Sequence, residues 1–408
     1  MKIKYLVISL MAFLPLFFSC SCKQNSSSDS NESAQLSSES ASLDANQIFA
    51  NSQQTGICKI EYAQGLVLAE RDGVIYAKIS DPQGESGAVY NYAFVKDDDA
   101  SSSKQAISKD FTVIKVPVSK LICMTSLQLS SFIKLKAYDN ICGLTSTKHL
   151  FNKEIKGQMR KGLIKKIGIE GNFDNETIMN LNPSLIMISP FKRGGFEALK
   201  ETGIPLLVHL GYKEPTPLGQ AEWIKLAGIL TGREEEALNL FDQTAARYNS
   251  LKMRVDSLLA DNQKHSLKRP KIMSGEMRGG NWYVPGGKSF LATLFTDAGA
   301  DYFLTDSASG GVTLDFESVY EKGVNADYWR LLVSNQDEFS YATLKSQDKR
   351  YADFKSFKKR GVIYCNQQQT PFYESSPMEP EVVLADFVKV FYPQLLNNYQ
   401  PVYYKLLK

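Results

Sequence analysis

Histidine is nearly absent: the 408 residues include three, His149, His209 and His265. A bare transition-metal site needs several imidazoles or thiolates converging on one ion, so that chemistry is set aside at once. Cysteine is scarce as well. Cys20 and Cys22 lie near the start, and Cys58, Cys123, Cys142 and Cys365 follow. None are spaced as CxxC, which argues against a thiolate metal site. The four later ones sit among apolar residues, where they are compatible with three disulfide pairings or with buried free thiols. An excess of one charge sign is missing too: 47 basic residues against 44 acidic ones leave +3, and the Lys and Arg are scattered. Nucleic acid is thereby demoted as a partner. Catalytic signatures are equally thin. No G-x-S-x-G elbow occurs. Gly286-Gly287-Lys288-Ser289 ends like a phosphate loop, but Trp282 stands where its first glycine belongs. Ser274 and Glu276 have no histidine nearby in sequence to complete an acyl-transfer triad. A hydrolytic enzyme survives only as a remote alternative.

Long hydrophobic runs are also lacking, apart from one at the start. Residues 5–18 are apolar except for Ser9, and Pro15 interrupts them; the run is too short to span a bilayer comfortably. Lys2 and Lys4 precede it, and it ends in Phe17-Phe18-Ser19-Cys20. A basic start, a short apolar stretch and a small residue before cysteine read as a bacterial lipoprotein signal. Residues 1–19 are then the signal peptide and Cys20 the lipidated N-terminus, with Cys22 as second choice. Residues 20–55 are rich in Ser, Asn, Gln and Asp, a composition that forms a flexible tether rather than a core. The expected address is the periplasm or cell surface, with membrane contact through the lipid alone.

What is present is an α/β pattern. Over residues 56–112, short runs such as Leu66-Val67-Leu68, Val74-Ile75-Tyr76-Ala77 and Val89-Tyr90-Asn91-Tyr92-Ala93-Phe94-Val95 are separated by Arg71-Asp72-Gly73 and Asp81-Pro82-Gln83-Gly84. These are strands and turns, a β-rich N-terminal extension. Asp97-Asp98-Asp99 reads as a solvated loop. Over residues 113–216 apolar runs (Leu121-Ile122-Cys123, Leu185-Ile186-Met187-Ile188, Leu206-Leu207-Val208-His209) alternate with helix-like segments, as expected of parallel βαβ units. Residues 217–262 are helical. A stop near Gly228 and Gly232 and a Thr231-Gly232-Arg233-Glu234 capping box precede a helix free of Gly and Pro, roughly 40 Å long at 1.5 Å per residue. Residues 263–408 repeat the alternation. The fold class is therefore α/β: two α/β lobes joined by a long connector α-helix.

Several motifs in this frame resemble a known family. Cys123-Met124-Thr125-Ser126 follows a strand. Gly168-Ile169-Glu170-Gly171-Asn172-Phe173-Asp174-Asn175-Glu176 leads into a stretch ending Leu181-Asn182-Pro183-Ser184-Leu185-Ile186-Met187. Pro217-Leu218-Gly219-Gln220-Ala221-Glu222-Trp223 opens the connector, and Trp282-Tyr283-Val284-Pro285-Gly286-Gly287-Lys288-Ser289-Phe290 precedes Asp297-Ala298-Gly299-Ala300. Together, over about residues 117–391, they resemble the helical-backbone (class III) substrate-binding proteins of ABC importers, which take up ferric siderophores, haem and cobalamin. Ser184 departs from the aspartate usual there, and the β-rich extension lies outside the pattern.

The resemblance implies a monomeric, non-enzymatic receptor that needs no cofactor. Its partners would be a small metal chelate or tetrapyrrole held between the lobes and an ABC permease dimer that receives it. A surface scavenger that hands its ligand to an outer-membrane transporter is the alternative. Glu176 and Glu317 match the positions where the family docks on permease arginines; solvated acids at helix starts would look the same. Cleft residues are expected on loops after strands: Thr125, Ser126, Lys148, Arg193, Tyr212, Trp282 and Tyr283. Aromatic faces suit a bulky ligand and Lys or Arg an anionic one.

Overall fold

The computed structural model describes residues 44–51, 54–96, 107–145, 147, 149–169, 171–190, 196–261 and 268–408. The signal segment, Cys20, Lys148, Arg193, His265 and the Asp97-Asp98-Asp99 triplet lie outside these residues.

The β-rich extension forms a sheet in the order β1 (Leu66–Arg71), β2 (Val74–Ser80), β3 (Val89–Lys96), β4 (Thr112–Val116). Asp72 and Gly73 both take positive φ, 52° and 78°. Such a two-residue Asp-Gly turn carries the twist of an antiparallel hairpin, here with Arg71 opposite Val74. Both sheet faces are covered. Leu66, Leu68, Ala77, Ile79, Phe94 and Ile114 join the main core, while Val74, Tyr76, Ala93 and Phe111 pack under Ile48 of helix Ala45–Asn51. The sequence boundary at residue 113 moves: β4 pairs in parallel with β3, so this run belongs to the extension.

The first lobe is a parallel sheet. It contains β5 (Leu121–Cys123), β6 (Ile141–Leu144), β7 (Lys165–Lys166), β10 (Leu185–Ile188) and β11 (Leu206–Val208), in the order β11-β10-β5-β6-β7. A small hairpin, β8 (Gly168–Ile169) with β9 (Asn172–Phe173), interrupts the sequence. The chain runs one way from β5 and later returns to its other side. This makes a switch point between β5 and β10, the place where open α/β sheets bind ligands.

The second lobe repeats the scheme. Its sheet is β15 (Asp301–Tyr302), β12 (Lys271–Ser274), β17 (Tyr328–Val333), β18 (Val362–Asn366) and β19 (Lys405–Leu406), in that order. Beside it lies an antiparallel trio of β13 (Glu276–Arg278), β14 (Asn281–Pro285) and β16 (Gly311–Leu314).

Helices Pro217–Glu222 and Ile224–Thr231 precede the long helix Glu234–Asp261. Gly232 closes the second of them in the left-handed region. The expected capping box is not formed: Thr231 donates back to Ala227 O at 2.8 Å. The 28-residue helix is about 42 Å long at 1.5 Å per residue. It touches both lobes. Arg233 donates to Leu135 O at its start, and Tyr248 Oη donates to Asp297 at 2.7 Å while Arg247 pairs with Glu381, also at 2.7 Å.

The extension is held by two buried carboxylates. Glu222 accepts the backbone N–H groups of Glu61, Tyr62 and Ala63 at 2.7–3.0 Å and pairs with Lys225 at 2.8 Å. Lys225 in turn donates to Lys59 O. Glu214 accepts from Gln64 N and Gly65 N, both at 2.9 Å, and from Trp223 Nε1 at 3.0 Å. Burial raises the Glu214 carboxyl above its ordinary value, against the pull of these donors. Unpaired, such groups would cost several kcal/mol each; fully donated to, they fix one register between extension and lobe.

Candidate ligand-binding cleft

Two adjoining cavities, of about 660 and 450 Å³, open between the lobes and share Leu127, Tyr212 and Tyr373. Both volumes suit small-molecule ligands.

The smaller cavity lies over the switch point. Thr125 ends the loop after β5 and caps helix Ser126–Lys134 in a reciprocal box with Gln128. That box is written in the sequence Thr125-Ser126-Leu127-Gln128, T-x-x-Q. Gln128 also donates to Ser189 Oγ at 2.9 Å, locking the ends of β5 and β10 together. Thr125, Ser126, Thr145, Ser189, Ile169 and Phe196 face this space.

The larger cavity is bounded by the second lobe. Tyr283, half exposed, stands on β14 with Phe290, Phe372, Tyr373 and Tyr404 around the space. The floor holds Arg330, which is 8 % exposed. Its guanidinium donates to Tyr404 Oη and lies 5.1 Å from that ring. No carboxylate among the described residues forms an ion pair with it. A buried cation is normally paired with a charge of opposite sign. Glu214 also borders the space, but its oxygens are occupied by the amides of the extension.

Of the cleft residues expected from sequence, Thr125, Ser126, Tyr212 and Tyr283 come together at the two cavities. Tyr212 spans both and donates to Pro190 O at 3.0 Å. Lys148 and Arg193 fall outside the described residues. Trp282 is a correction. It is fully buried, donates Nε1–H to Ser274 O at 3.1 Å and stacks on Trp329 at 5.7 Å. Phe316, Tyr351 and Phe354 complete its surroundings. Side chains alternate across a strand, so the neighbours Trp282 and Tyr283 cannot share a face. Tyr283 takes the cleft and Trp282 the core.

Sequence reasoning missed Arg330, Tyr373 and Gln83. Arg330 left one signal, a lone charge inside Tyr328-Trp329-Arg330-Leu331-Leu332-Val333. The other two arrive through tertiary packing alone.

Glu176 and Glu317 are away from the cavities and share one local design. Each is exposed and occupies the second residue of a helix, Asn175–Leu181 or Phe316–Gly323. Asp174 caps the first by accepting Thr177 N at 2.9 Å, and Asp315 the second by accepting Ser318 N at 2.6 Å. Those backbone donors hold both aspartates below the usual carboxylate range.

The four described cysteines are free and buried, which decides between the readings left open by the sequence. Burial pushes the thiols of Cys58 and Cys365 up to about 12 and that of Cys142 to about 11, so none is a ready nucleophile. Among the described residues no cluster of His, Cys, Asp or Glu could hold a metal ion, and no helix is long and apolar enough to cross a membrane.

Two α/β lobes with cavities between them and a long helix touching both are the plan of a two-lobed binding protein. The chain belongs to the periplasmic binding protein family, the match running over residues 121–369. This is a family of substrate-binding proteins of ABC transporters, and the chain is a binding protein rather than an enzyme. It is 24% identical over 315 residues to the uncharacterized lipoprotein MJ0878 of Methanocaldococcus jannaschii, covering 74% of this chain and 72% of that one. The fold is similar to a periplasmic heme-binding protein from Pseudomonas aeruginosa, with TM-score 0.54, 15% identity, and 71% of this chain and 98% of that one covered. It is also similar to the molybdate-binding protein MolA of Haemophilus influenzae, with TM-score 0.53, 15% identity and coverage of 69% and 89%.

Proposed function

We propose that this protein is a lipid-anchored extracytoplasmic receptor that captures an anionic, aromatic-faced metal chelate or tetrapyrrole and delivers it to an ABC permease. Arg330 is the observation that carries the ligand class. It is a cation at an aromatic-walled cavity of about 660 Å³ with no ion-pair partner among the described residues. A flat or bulky anion would meet the rings of Tyr283, Phe290 and Tyr373 while its charge neutralises the guanidinium. The anchor rests on the Cys20 signal and on the lipoprotein relative. Delivery rests on Glu176 and Glu317, one exposed carboxylate per lobe, each fixed on a capped helix.

Quenching of the three tryptophans tests the ligand class. The full chain in detergent is titrated in parallel with a ferric catecholate, a ferric hydroxamate, haem and cobalamin. Saturable sub-micromolar binding of the catecholate or haem, the two strongly anionic members, is expected. Binding restricted to the hydroxamate or cobalamin, or silence from all four, overturns the assignment.

A further inference from the structure

We propose that the β2–β3 connection, residues 81–88, is a clasp between the lobes that closes one side of the larger cavity, with Gln83 as a specificity-determining wall residue. The inference rests on the reading of that cavity as the ligand site. These residues belong to the extension, which precedes the family match over residues 121–369.

The clasp is built from Asp81 outward. The Asp81 side chain is 2 % exposed and pairs with Lys213 at 2.6 Å. Its other oxygen accepts Gln83 N at 2.9 Å, and its carbonyl accepts Gly84 N at 3.0 Å. One carboxylate thus fixes the turn that aims Gln83. The Gln83 amide donates to two places at once: to Lys213 O, at the end of the first lobe, at 3.1 Å, and to Ser309 O, in the second lobe, at 3.5 Å. Glu85 adds a second contact to Lys213 at 2.9 Å. On the second-lobe side the approach to Gly310 is close. A Cβ on Gly310 would stand 3.3 Å from Gln83 Oε1 and 3.7 Å from Glu85 Oε1. Gln83, Ser309 and Gly310 all border the larger cavity, so the atoms that join the lobes also face the ligand space.

A fixed wall excludes ligands by size, and a tie across the opening lowers the cost of organising the site before binding. The second-lobe segment at the clasp is carried by two backbone bonds, Gly286 N to Gly310 O at 2.8 Å and Lys288 N to Ala308 O at 2.9 Å. Their amides report whether the clasp holds it.

The test uses two variants of the full chain. Gln83→Ala removes the bridging amide. Replacement of residues 81–88 by an Asn-Gly turn removes the whole clasp while closing the hairpin on the Ser80–Val89 pair, a turn suited to such strands. Amide exchange without ligand should quicken about tenfold or more at Gly286 and Lys288 in both variants, because local opening limits exchange there. The cooperative unfolding transition should persist. Whichever member of the four-ligand panel binds the native chain should bind Gln83→Ala about tenfold more weakly. Unchanged exchange in both variants overturns the clasp. Faster exchange with unchanged affinity overturns the role of Gln83 in selection. Faster exchange with no ligand bound even by the native chain overturns the ligand class proposed above and leaves the clasp standing.

Discussion

His209 is a base that the fold keeps neutral. It lies buried under the Trp223 ring, 4.5 Å away, and burial pushes its pKa down from 6.5 to about 3. The unfolded chain therefore takes up a proton below pH 6.5 that the folded chain refuses until about pH 3, so stability is lost as pH falls through that window. Between pH 7 and pH 5 the loss should be about 2 kcal/mol, at 1.36 kcal/mol per pH unit below the unfolded pKa. Urea midpoints at the two pH values check this; His209→Phe should flatten the difference, and an unaltered slope would sink the account. Arg330 gives the complementary case. Arg330→Gln should weaken binding of the panel anion about 10- to 100-fold, the value of a charge-assisted hydrogen bond of 1.5–3 kcal/mol. Because no carboxylate partner is orphaned, the melting temperature should hold or rise. A large fall in melting temperature with unaltered affinity would make Arg330 structural. At this scale the sequence was only half readable: Thr125 was expected on a loop after a strand and borders the smaller cavity, whereas Trp282 was misplaced because facing direction depends on which sheet covers the strand.

Elements were more legible than residues, and for a physical reason. The Asp72-Gly73 hairpin, the Gly232 helix stop and the long uninterrupted helix are set by neighbours in sequence, and all appear as expected. The boundary expected at residue 113 separates β4 from its partner β3, because pairing is a long-range choice that a five-residue run does not encode. The anchoring of the extension was invisible for the same reason, since Glu222 reads as an ordinary helix acid until its three amide donors arrive from residues 61–63. Removing that carboxylate leaves Lys225 buried and unpaired, a situation worth about 3–5 kcal/mol. Glu222→Ala should lower stability by that amount and make the extension the first part cut by protease. Equal digestion rates of the extension and the lobes would contradict it.

The proposed traffic of the whole molecule turns on its two outlying carboxylates. Exposed ion pairs add little affinity individually but orient an encounter. Glu176→Gln with Glu317→Gln should therefore leave ligand affinity in solution unchanged and reduce permease-dependent uptake about tenfold or more, an effect that grows at low salt. Uptake at the native rate would remove both residues from delivery. The two-lobed plan was readable from alternating strands and helices, whereas the cleft's third side was not, because it comes from a segment outside the recognisable pattern.

The buried clasping of the extension has a practical consequence for anyone dividing the gene. A fragment begun at Leu121, where family resemblance starts, would lose the five amides that Glu214 and Glu222 hold. It would also lose Tyr92, whose hydroxyl accepts Val208 N at 2.9 Å on the β11 edge. The apolar surface that Leu66, Leu68, Ile79 and Phe94 cover would then be bared and an open strand edge would face its neighbours, the conditions under which recombinant protein collects in inclusion bodies. The smallest fragment worth expressing starts ahead of Asp44.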